Sequence, residues 1–154
     1  MRLCNDHRGF SLGEMLVVTA IFGIVAAVAM PSFLTMQPSM RLNGASRQVF
    51  GKLTWARAQA VKENITYSVI FPNNHTLTII RDANGNGVAD TGETTESVDI
   101  QTNYPDCTFS VTSGDTTPNF LSRGTTNGDT VITIANASGT RVVTVKVTGN
   151  IKIT

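Results

Sequence analysis

The sequence predicts an α+β protein in which a long N-terminal helix, membrane-spanning in its first half and amphipathic in its second, packs on an antiparallel β-sheet domain. Three observations support this fold class. The run from Met15 to Met30 is apolar except for Thr19, apolar residues then recur every three or four positions to about Asn64, and from Thr66 onward they alternate with polar ones. A helix followed by strands indicates α+β. The 154 residues are enough for one domain and one additional segment.

The apolar run is long enough to cross a membrane. From Phe10 to Leu34 the only ionisable side chain is that of Glu14, and a segment of this length spans roughly 30 Å of hydrocarbon. Arg2 and Arg8 precede the run, and positively charged flanks remain in the cytoplasm. We therefore expect a single membrane pass, with the C-terminal domain outside the inner membrane.

The stretch RGFSLGEMLVVTAIFGIVAAVAMP resembles the class III signal of type IV prepilins and type II secretion pseudopilins. In those proteins a Gly-Phe pair is followed by a glutamate and an apolar helix that ends near a proline. Gly9, Phe10 and Glu14 match this pattern, whereas Gly13 stands where the family generally has a bulky aliphatic residue. The resemblance implies that a prepilin peptidase cuts between Gly9 and Phe10 and methylates the new amine of Phe10.

Glu14 is the candidate assembly residue. A carboxylate near the membrane interior costs about 2.5 to 3.5 kcal/mol, so it is expected to be paired, neutralised or functional. The resemblance implies that Glu14 pairs with the N-terminal amine of a neighbouring subunit during assembly. The alternative is an interfacial glutamate that only reaches toward the lipid headgroups.

Residues 35–64 are predicted to continue the helix as an amphipathic segment. Pro31 lacks an amide hydrogen and is expected to kink or loosen the helix near the membrane boundary. The apolar stripe comprises Leu42, Ala45, Val49, Leu53, Ala56 and Ala60, widened by Phe50 and Val61. We expect this stripe to cover one face of the sheet. The basic residues of the segment are spread around the helix, which favours a solvated surface over a nucleic-acid-binding stripe.

The region 65–154 is predicted to be rich in β-strands. Short apolar or alternating runs are separated by turn residues such as Asn, Gly, Ser and Asp. The runs are Tyr67 to Phe71, Leu77 to Ile79, Val98 to Ile100, Cys107 to Val111, Asn119 to Leu121, Thr130 to Ala135, Arg141 to Val147 and Asn150 to Thr154. Their spacing is typical of antiparallel strands.

One loop within this region fits a calcium-binding pattern. Residues 82–93, DANGNGVADTGE, match D-x-[DN]-x-[DN]-G-x5-E. The ligand positions would be Asp82, Asn84, Asn86, the Val88 carbonyl, Asp90 and Glu93. However, the flanks are predicted strands and not helices, and two Asn-Gly pairs also suit a polar hairpin tip. No cofactor is required, and a calcium ion, if bound, would order the loop.

Residues 41–93 resemble the H-type pseudopilin and FimT-like minor pilin family. The segment RLNGASRQVFGKLTWARAQAVKEN is similar to the second helical half of that family, and a strand and an Asn/Asp/Gly loop follow in the expected order. Some FimT-like pilins bind DNA through a basic C-terminal end, and the corresponding residues here are Arg141, Lys146 and Lys152. Asn150 and Lys152 stand where the family's Gly-Arg-x-Arg sequence has its two arginines. Neither side chain has the planar guanidinium group that binds a phosphate through two hydrogen bonds.

The resemblance implies a structural subunit with four segments: a leader (1–9), a transmembrane and assembly helix (10–34), an amphipathic helix (35–64) and a periplasmic β-rich domain (65–154). Such a minor pilin or pseudopilin assembles through its N-terminal helix into a type II secretion pseudopilus or a type IV pilus. The expected partners are other pilins or pseudopilins, the prepilin peptidase and the inner-membrane assembly platform. A DNA-binding minor pilin is the alternative function.

Charge and side-chain chemistry disfavour other classes. The formal net charge is +1, and loss of residues 1–9 removes two of twelve basic and one of eleven acidic residues, leaving ten of each. A neutral chain has no overall basic footprint for nucleic acid. Only two histidines occur and no nucleophile motif or Cys/His metal cluster accompanies them, so we do not expect an enzyme. Cleavage would leave Cys107 without an internal disulfide partner, and we expect it in the core, with an intermolecular bridge as the alternative.

Overall fold

The structure is a computed structural model that describes residues 9–114 and 117–154. The leader residues Arg2, Cys4 and Arg8 lie outside the described residues. Helix α1 spans Leu12–Glu63 and is followed by a short 3₁₀ helix at Ile100–Thr102 and by strands. The strands are β1 (Thr66–Ile70), β2 (Thr76–Asp82), β3 (Thr95–Asp99), β4 (Thr108–Gly114), β5 (Asn119–Phe120), β6 (Thr130–Asn136), β7 (Gly139–Val145) and β8 (Ile151–Ile153).

Helix α1 is continuous over 52 residues. It passes through Pro31 and Pro38 without a break, so the expected loosening at Pro31 does not interrupt the helix. It ends at Glu63, because Asn64 adopts a left-handed conformation (φ 57°). The amide of Ile65 then donates to the carbonyl oxygen of Ala60 at 3.3 Å, a bond typical of helix C-termini that end on a left-handed residue.

The chain divides into two compact units, the first ending at Gln37 and the second spanning Pro38–Thr154. In the first unit, every side chain of α1 from Leu12 to Met36 is exposed. The second unit contains the rest of α1 and all the described strands, together with the hydrophobic core.

The strands form two four-stranded antiparallel sheets, which we call sheet A (order β3-β2-β1-β5) and sheet B (order β4-β6-β7-β8). The antiparallel pairing agrees with the sequence-based expectation. The sequence also predicted that the helix covers one sheet, whereas the domain contains two. After β3 the chain turns away, because Ile100 starts the 3₁₀ helix and its amide donates to the carbonyl oxygen of His75. Strand β4 consequently pairs with β6, for example Phe109 opposite Ile134. The predicted run from Val98 to Ile100 therefore lies in β3 as far as Asp99, and the prediction is wrong only at Ile100.

One hydrophobic core joins the helix to both sheets. The expected stripe positions Leu42, Ala45, Val49, Leu53, Ala56 and Ala60 are all buried and belong to a single cluster with side chains of sheets A and B. The expected widening is wrong at Val61, whose side chain is 51% exposed, and Phe50 is half-buried. Ser46 is buried on the same helix face, where its hydroxyl donates to the carbonyl oxygen of Asn43 at 3.0 Å. Cys107 lies in the core, as expected.

The helix approaches the domain closely at Gly44. A Cβ atom added there would lie 2.5 Å from the ring of Tyr104. Because only glycine leaves room for this ring, Tyr104 can pack against the helix backbone and against the core.

The outer face of sheet A is also buried. Ser68, Ile80 and Asp82 have no exposed area. Along β2, Ile80 and Asp82 point away from the core-facing Ile79, and Ser68 on β1 is paired with Ile80. The loop that follows β2 covers the Asp82 end of this face, since its backbone amides bond to the Asp82 carboxylate.

Candidate functional site

The N-terminus of α1 places Glu14 beside Ser11. The amide of Ser11 donates to Oε2 of Glu14 at 2.9 Å, and the Ser11 hydroxyl oxygen accepts from the amide of Gly13 at 3.3 Å. The bond from Ser11 to Glu14 is that of a capping box, while the Ser11 hydroxyl caps Gly13, one position before Glu14. Sequence reasoning missed it, although Ser-x-x-Glu at a helix start is its signature. Gly9 and Phe10, the residues of the proposed cleavage site, are exposed immediately before the helix.

The first part of α1 has the hydropathy and length to cross a membrane. Its most apolar window has a mean hydropathy of 2.3, and none of that window is buried. Large apolar side chains such as Leu16, Ile21 and Phe22 are 56 to 70% exposed. An apolar surface of this length requires lipid or other helices to cover it.

The loop between β2 and β3 is organised by the Asp82 carboxylate. This carboxylate accepts hydrogen bonds from four donors: the Ser68 hydroxyl (2.7 Å) and the backbone amides of Gly85 (2.6 Å), Asn86 (3.1 Å) and Gly87 (2.7 Å). Burial raises the pKa of Asp82, but the bonds from Ser68 and the loop amides outweigh it, so the pKa lies below its ordinary value. Asp82 is thus held as a buried carboxylate that fixes the loop.

The other proposed calcium ligands join the same loop network. The side-chain amides of Asn84 and Asn86 both donate to Oδ2 of Asp90 at 2.7 Å. Glu93 accepts from the amides of Ala83 (2.9 Å) and Asp90 (3.1 Å). The structure therefore brings the five proposed side-chain ligands into one hydrogen-bonded loop, and the backbone of Val88 joins it through a bond from its amide to Oδ1 of Asn86 at 2.8 Å.

The donor set of this loop suits calcium only in part. Within residues 9–114 and 117–154, no three His, Cys, Asp or Glu side chains form a group that could hold a metal. A calcium ion would need the amide oxygens of Asn84 and Asn86, whose nitrogens face Asp90 here. The oxygen of Asn84 accepts a hydrogen bond from the amide of Asn86, and the oxygen of Asn86 accepts one from the amide of Val88. The side-chain oxygens thus lie at alternate positions of the loop, which is the spacing of calcium ligands.

The three basic residues proposed for DNA binding do not form one surface. Arg141 shares its strand face with the buried Val143 and donates to Oδ1 of Asn43 at 3.0 Å. Lys146 is paired with Asp129 at 2.7 Å. Lys152 lies opposite Thr144, and because side chains alternate along a strand, it is on the other sheet face from Arg141. The DNA-binding alternative is not favoured.

Arg57 is a functional candidate that sequence reasoning missed. Its Nε donates to the carbonyl oxygen of Gly124 at 2.8 Å, across 67 positions of the chain. Gly124 and Gly149 both have positive φ, and a Cβ on Gly149 would lie 1.8 Å from the Gly124 oxygen. Because neither glycine has a Cβ atom, the guanidinium of Arg57 can reach the carbonyl oxygen of Gly124. The sequence signal for this position was its place in the segment RLNGASRQVFGKLTWARAQAVKEN, which resembles the family's second helical half.

The fold and the N-terminal segment define a class. A membrane-length apolar helix with one glutamate near its start, continuing into an α+β domain, is the architecture of a pilin-type subunit. The chain belongs to the family described as "Type II transport protein GspH", whose sequence profile matches residues 45–150. The prokaryotic N-terminal methylation motif matches residues 4–30. No curated protein sequence matches the chain significantly.

Solved structures of two pilin-type proteins share the fold. The type IV minor pilin FimU of Pseudomonas aeruginosa matches with a TM-score of 0.61 and 18% identity, over 78% of this chain and 92% of FimU. The minor pseudopilin EpsH of the Vibrio cholerae type 2 secretion system matches with a TM-score of 0.57 and 14% identity, over 74% of this chain and 96% of EpsH. The family and these neighbours are structural subunits, and this chain is a minor pilin or pseudopilin.

Proposed function

We propose that this minor pilin or pseudopilin is cleaved between Gly9 and Phe10, methylated on Phe10, held in the inner membrane by α1, and packed through α1 into a filament. The observation that supports this most directly is the uncovered apolar surface of α1 from Leu12 to Met36, in which Glu14 is the only ionisable residue. Lipid covers this surface before assembly and neighbouring helices cover it afterwards.

Pairing of Glu14 with the N-terminal amine of a neighbouring subunit sets the register between successive subunits in the assembly. Cleavage after Gly9 creates a cation on Phe10, and in a low-dielectric layer a carboxylate is strongly stabilised by a cation from the neighbouring subunit. One oxygen of Glu14 accepts from the Ser11 amide within its own helix. The carboxylate has a second oxygen for the amine of the neighbour.

The positive charges of the leader support an orientation with the start of α1 at the cytoplasmic face and the C-terminal domain in the periplasm. The prepilin peptidase processes the chain, and the assembly platform and other pilins or pseudopilins are its partners. The subunit is structural and performs no catalysis, consistent with a family and neighbours that are pilins and pseudopilins.

Two measurements test processing and assembly. Mass spectrometry of the membrane form should find an N-terminus at methylated Phe10, and an intact Met1 in cells with an active peptidase would contradict the proposal. Glu14→Ala should insert in the membrane but be incorporated poorly.

Glu14→Gln is the matched control for the role of charge. Glutamine still accepts the Ser11 amide, because capping boxes accept either Glu or Gln at this position, but it has no charge for the amine. Poor incorporation of both variants supports charge pairing. Normal incorporation of Glu14→Gln would leave only a capping role for Glu14.

We also propose calcium as an ordering ligand of the loop at residues 82–93, with no catalytic role. The motif spacing supports it, as does Asn119, whose buried Oδ1 accepts no hydrogen bond from the described residues and whose amide lies beside Gly87. Calcium should raise the melting temperature of the protein, magnesium should do so less, and Asp90→Ala should abolish the effect. An unchanged melting temperature in millimolar calcium would refute it.

A further inference from the structure

A pocket of about 540 Å³ lies beside the last turns of α1. Two arginines line it, Arg57 from the helix and Arg123 from the loop between β5 and β6. The rest of the lining is small or apolar and consists of Thr54, Ala58, Val61 and Gly124. The pocket therefore combines two positive charges with an apolar floor.

One of these arginines is held in place. Arg57 is half-buried, and its Nε is fixed by the carbonyl oxygen of Gly124. Because Nε is used, the two terminal nitrogens of the guanidinium remain to bind a ligand, and together they match the two oxygens of a carboxylate. Arg123 is exposed and lies next to Gly124 in the chain, so it supplies a second cation that is accessible to a partner.

Neither arginine has an acidic partner among residues 9–114 and 117–154. Elsewhere in this unit four acids are paired with other cations: Asp106 with Arg41, Glu96 with Lys52, Glu63 with Arg81, and Asp129 with Lys146. Two guanidinium groups in one pocket repel each other unless an anion lies between them. The pocket is thus built for a negatively charged group from outside the subunit.

We propose that the Arg57–Arg123 pocket binds an acidic side chain on the surface of an adjacent pilin-type subunit. This inference rests on the proposed filament function. Head-to-tail assemblies join two different surfaces of successive subunits, and a basic pocket on one side requires an acidic surface on its neighbour. The apolar floor covers the methylene groups of the aspartate or glutamate.

A protein partner fits this pocket better than DNA or lipid. DNA binding needs a row of cations along a surface, but the nearby Lys146 is neutralised by Asp129 and the cleaved chain has no net charge. The residues that line the pocket all belong to the second unit, and none comes from the membrane-length apolar segment.

The test uses the full-length chain in cells that assemble the filament. A photo-crosslinking residue at Ala58, which lines the pocket, should give an adduct with an identified prepilin-type subunit, at a peptide that contains Asp or Glu. Arg123→Glu should lower the adduct yield by about tenfold, because it turns attraction into repulsion. Arg123→Lys retains the charge and should retain most of the yield. The same photo-crosslinker at the exposed Thr140 on β7 should be unaffected by either change.

The outcomes separate this inference from the function on which it rests. In Arg123→Glu the N-terminus should still be methylated Phe10 and the melting temperature should be unchanged, since Arg123 is exposed. An adduct with lipid or DNA, or a pilin adduct that is insensitive to Arg123→Glu, would overturn the inference while leaving processing intact. Loss of processing in the unmodified chain would instead overturn the proposed function.

Discussion

At the scale of single residues, Asp82 holds the outer layer of the domain together. Its buried carboxylate bonds to one hydroxyl and three backbone amides of the loop after β2. Removing a buried acceptor leaves its donors unsatisfied, which costs about 1 to 3 kcal/mol. The loop therefore depends on a side chain that the sequence had suggested as a metal ligand.

We predict that Asp82→Ala lowers the free energy of unfolding by about 1 to 3 kcal/mol. The loss arises because the loop amides and the Ser68 hydroxyl no longer have an acceptor. Urea denaturation of the second unit measures it. Glu96→Gln, which breaks an exposed ion pair with Lys52, is the control and should cost at most about 1 kcal/mol. Equal effects of the two changes would contradict the structural role of Asp82.

The same carboxylate makes stability depend on pH. The pKa of Asp82 is lower in the folded than in the unfolded chain, so the folded state binds fewer protons in acid. Its stabilising contribution is complete above the ordinary carboxyl pKa of about 4 and is lost as pH falls through the folded pKa. The difference in unfolding free energy between wild type and Asp82→Asn should therefore be larger at pH 6 than at pH 3. A constant difference would exclude this linkage.

At the scale of elements, the second half of α1 contains two glycines with opposite roles. Gly51 has no heavy atom near the position of an added Cβ, whereas a Cβ on Gly44 would meet the ring of Tyr104 at 2.5 Å. Glycine costs a helix about 0.5 to 1 kcal/mol relative to alanine. Only at Gly44 does packing of the ring offset that cost.

We predict opposite signs for the two alanine substitutions. Gly51→Ala should raise the free energy of unfolding by about 0.5 to 1 kcal/mol, because it gains helix propensity without a clash. Gly44→Ala should lower it, since the ring must move. Thermal unfolding of both variants in the same buffer compares them. Stabilisation by Gly44→Ala would mean that the Tyr104 ring moves aside at little cost.

The elements also show what the sequence can and cannot predict. An unbroken apolar run located the first half of α1, and the hydrophobic period located its buried stripe from Leu42 to Ala60, because burial of one face imposes that period on the sequence. Alternation together with turn residues located most of the strands. It failed where partners distant in the chain decide the outcome. The division into two sheets depends on β4 pairing with β6, and the Arg57 contact depends on a glycine 67 positions away. Val61 has the right spacing, but its side chain is exposed beside Gly124.

At the scale of the whole molecule, the core belongs entirely to the second unit. The cluster begins at Leu42 and includes side chains of both sheets. Near the start of that unit, Asn136 donates to the carbonyl oxygen of Pro38 at 2.7 Å. The buried contacts of the domain therefore do not require the membrane-length segment.

We predict that a chain beginning at Pro38 folds and is monomeric without detergent, since the exposed apolar residues of the first unit are removed. Circular dichroism and a cooperative thermal transition would show folding. A chain beginning at residue 47 is the matched comparison, because it also lacks Leu42, Ala45 and Ser46, and it should melt at a lower temperature. A chain from Pro38 without a cooperative transition would contradict this division of the molecule.

The contact of Arg57 with Gly124, closed by Gly149, has a consequence for biogenesis. The helix is synthesised long before the turn between β7 and β8, yet the Gly124 oxygen that binds Arg57 near the helix end packs against Gly149 in that turn. The contacts around Arg57 can therefore be completed only after nearly the whole chain has been made, and a truncation before Gly149 should leave this end of the helix without one of its neighbours.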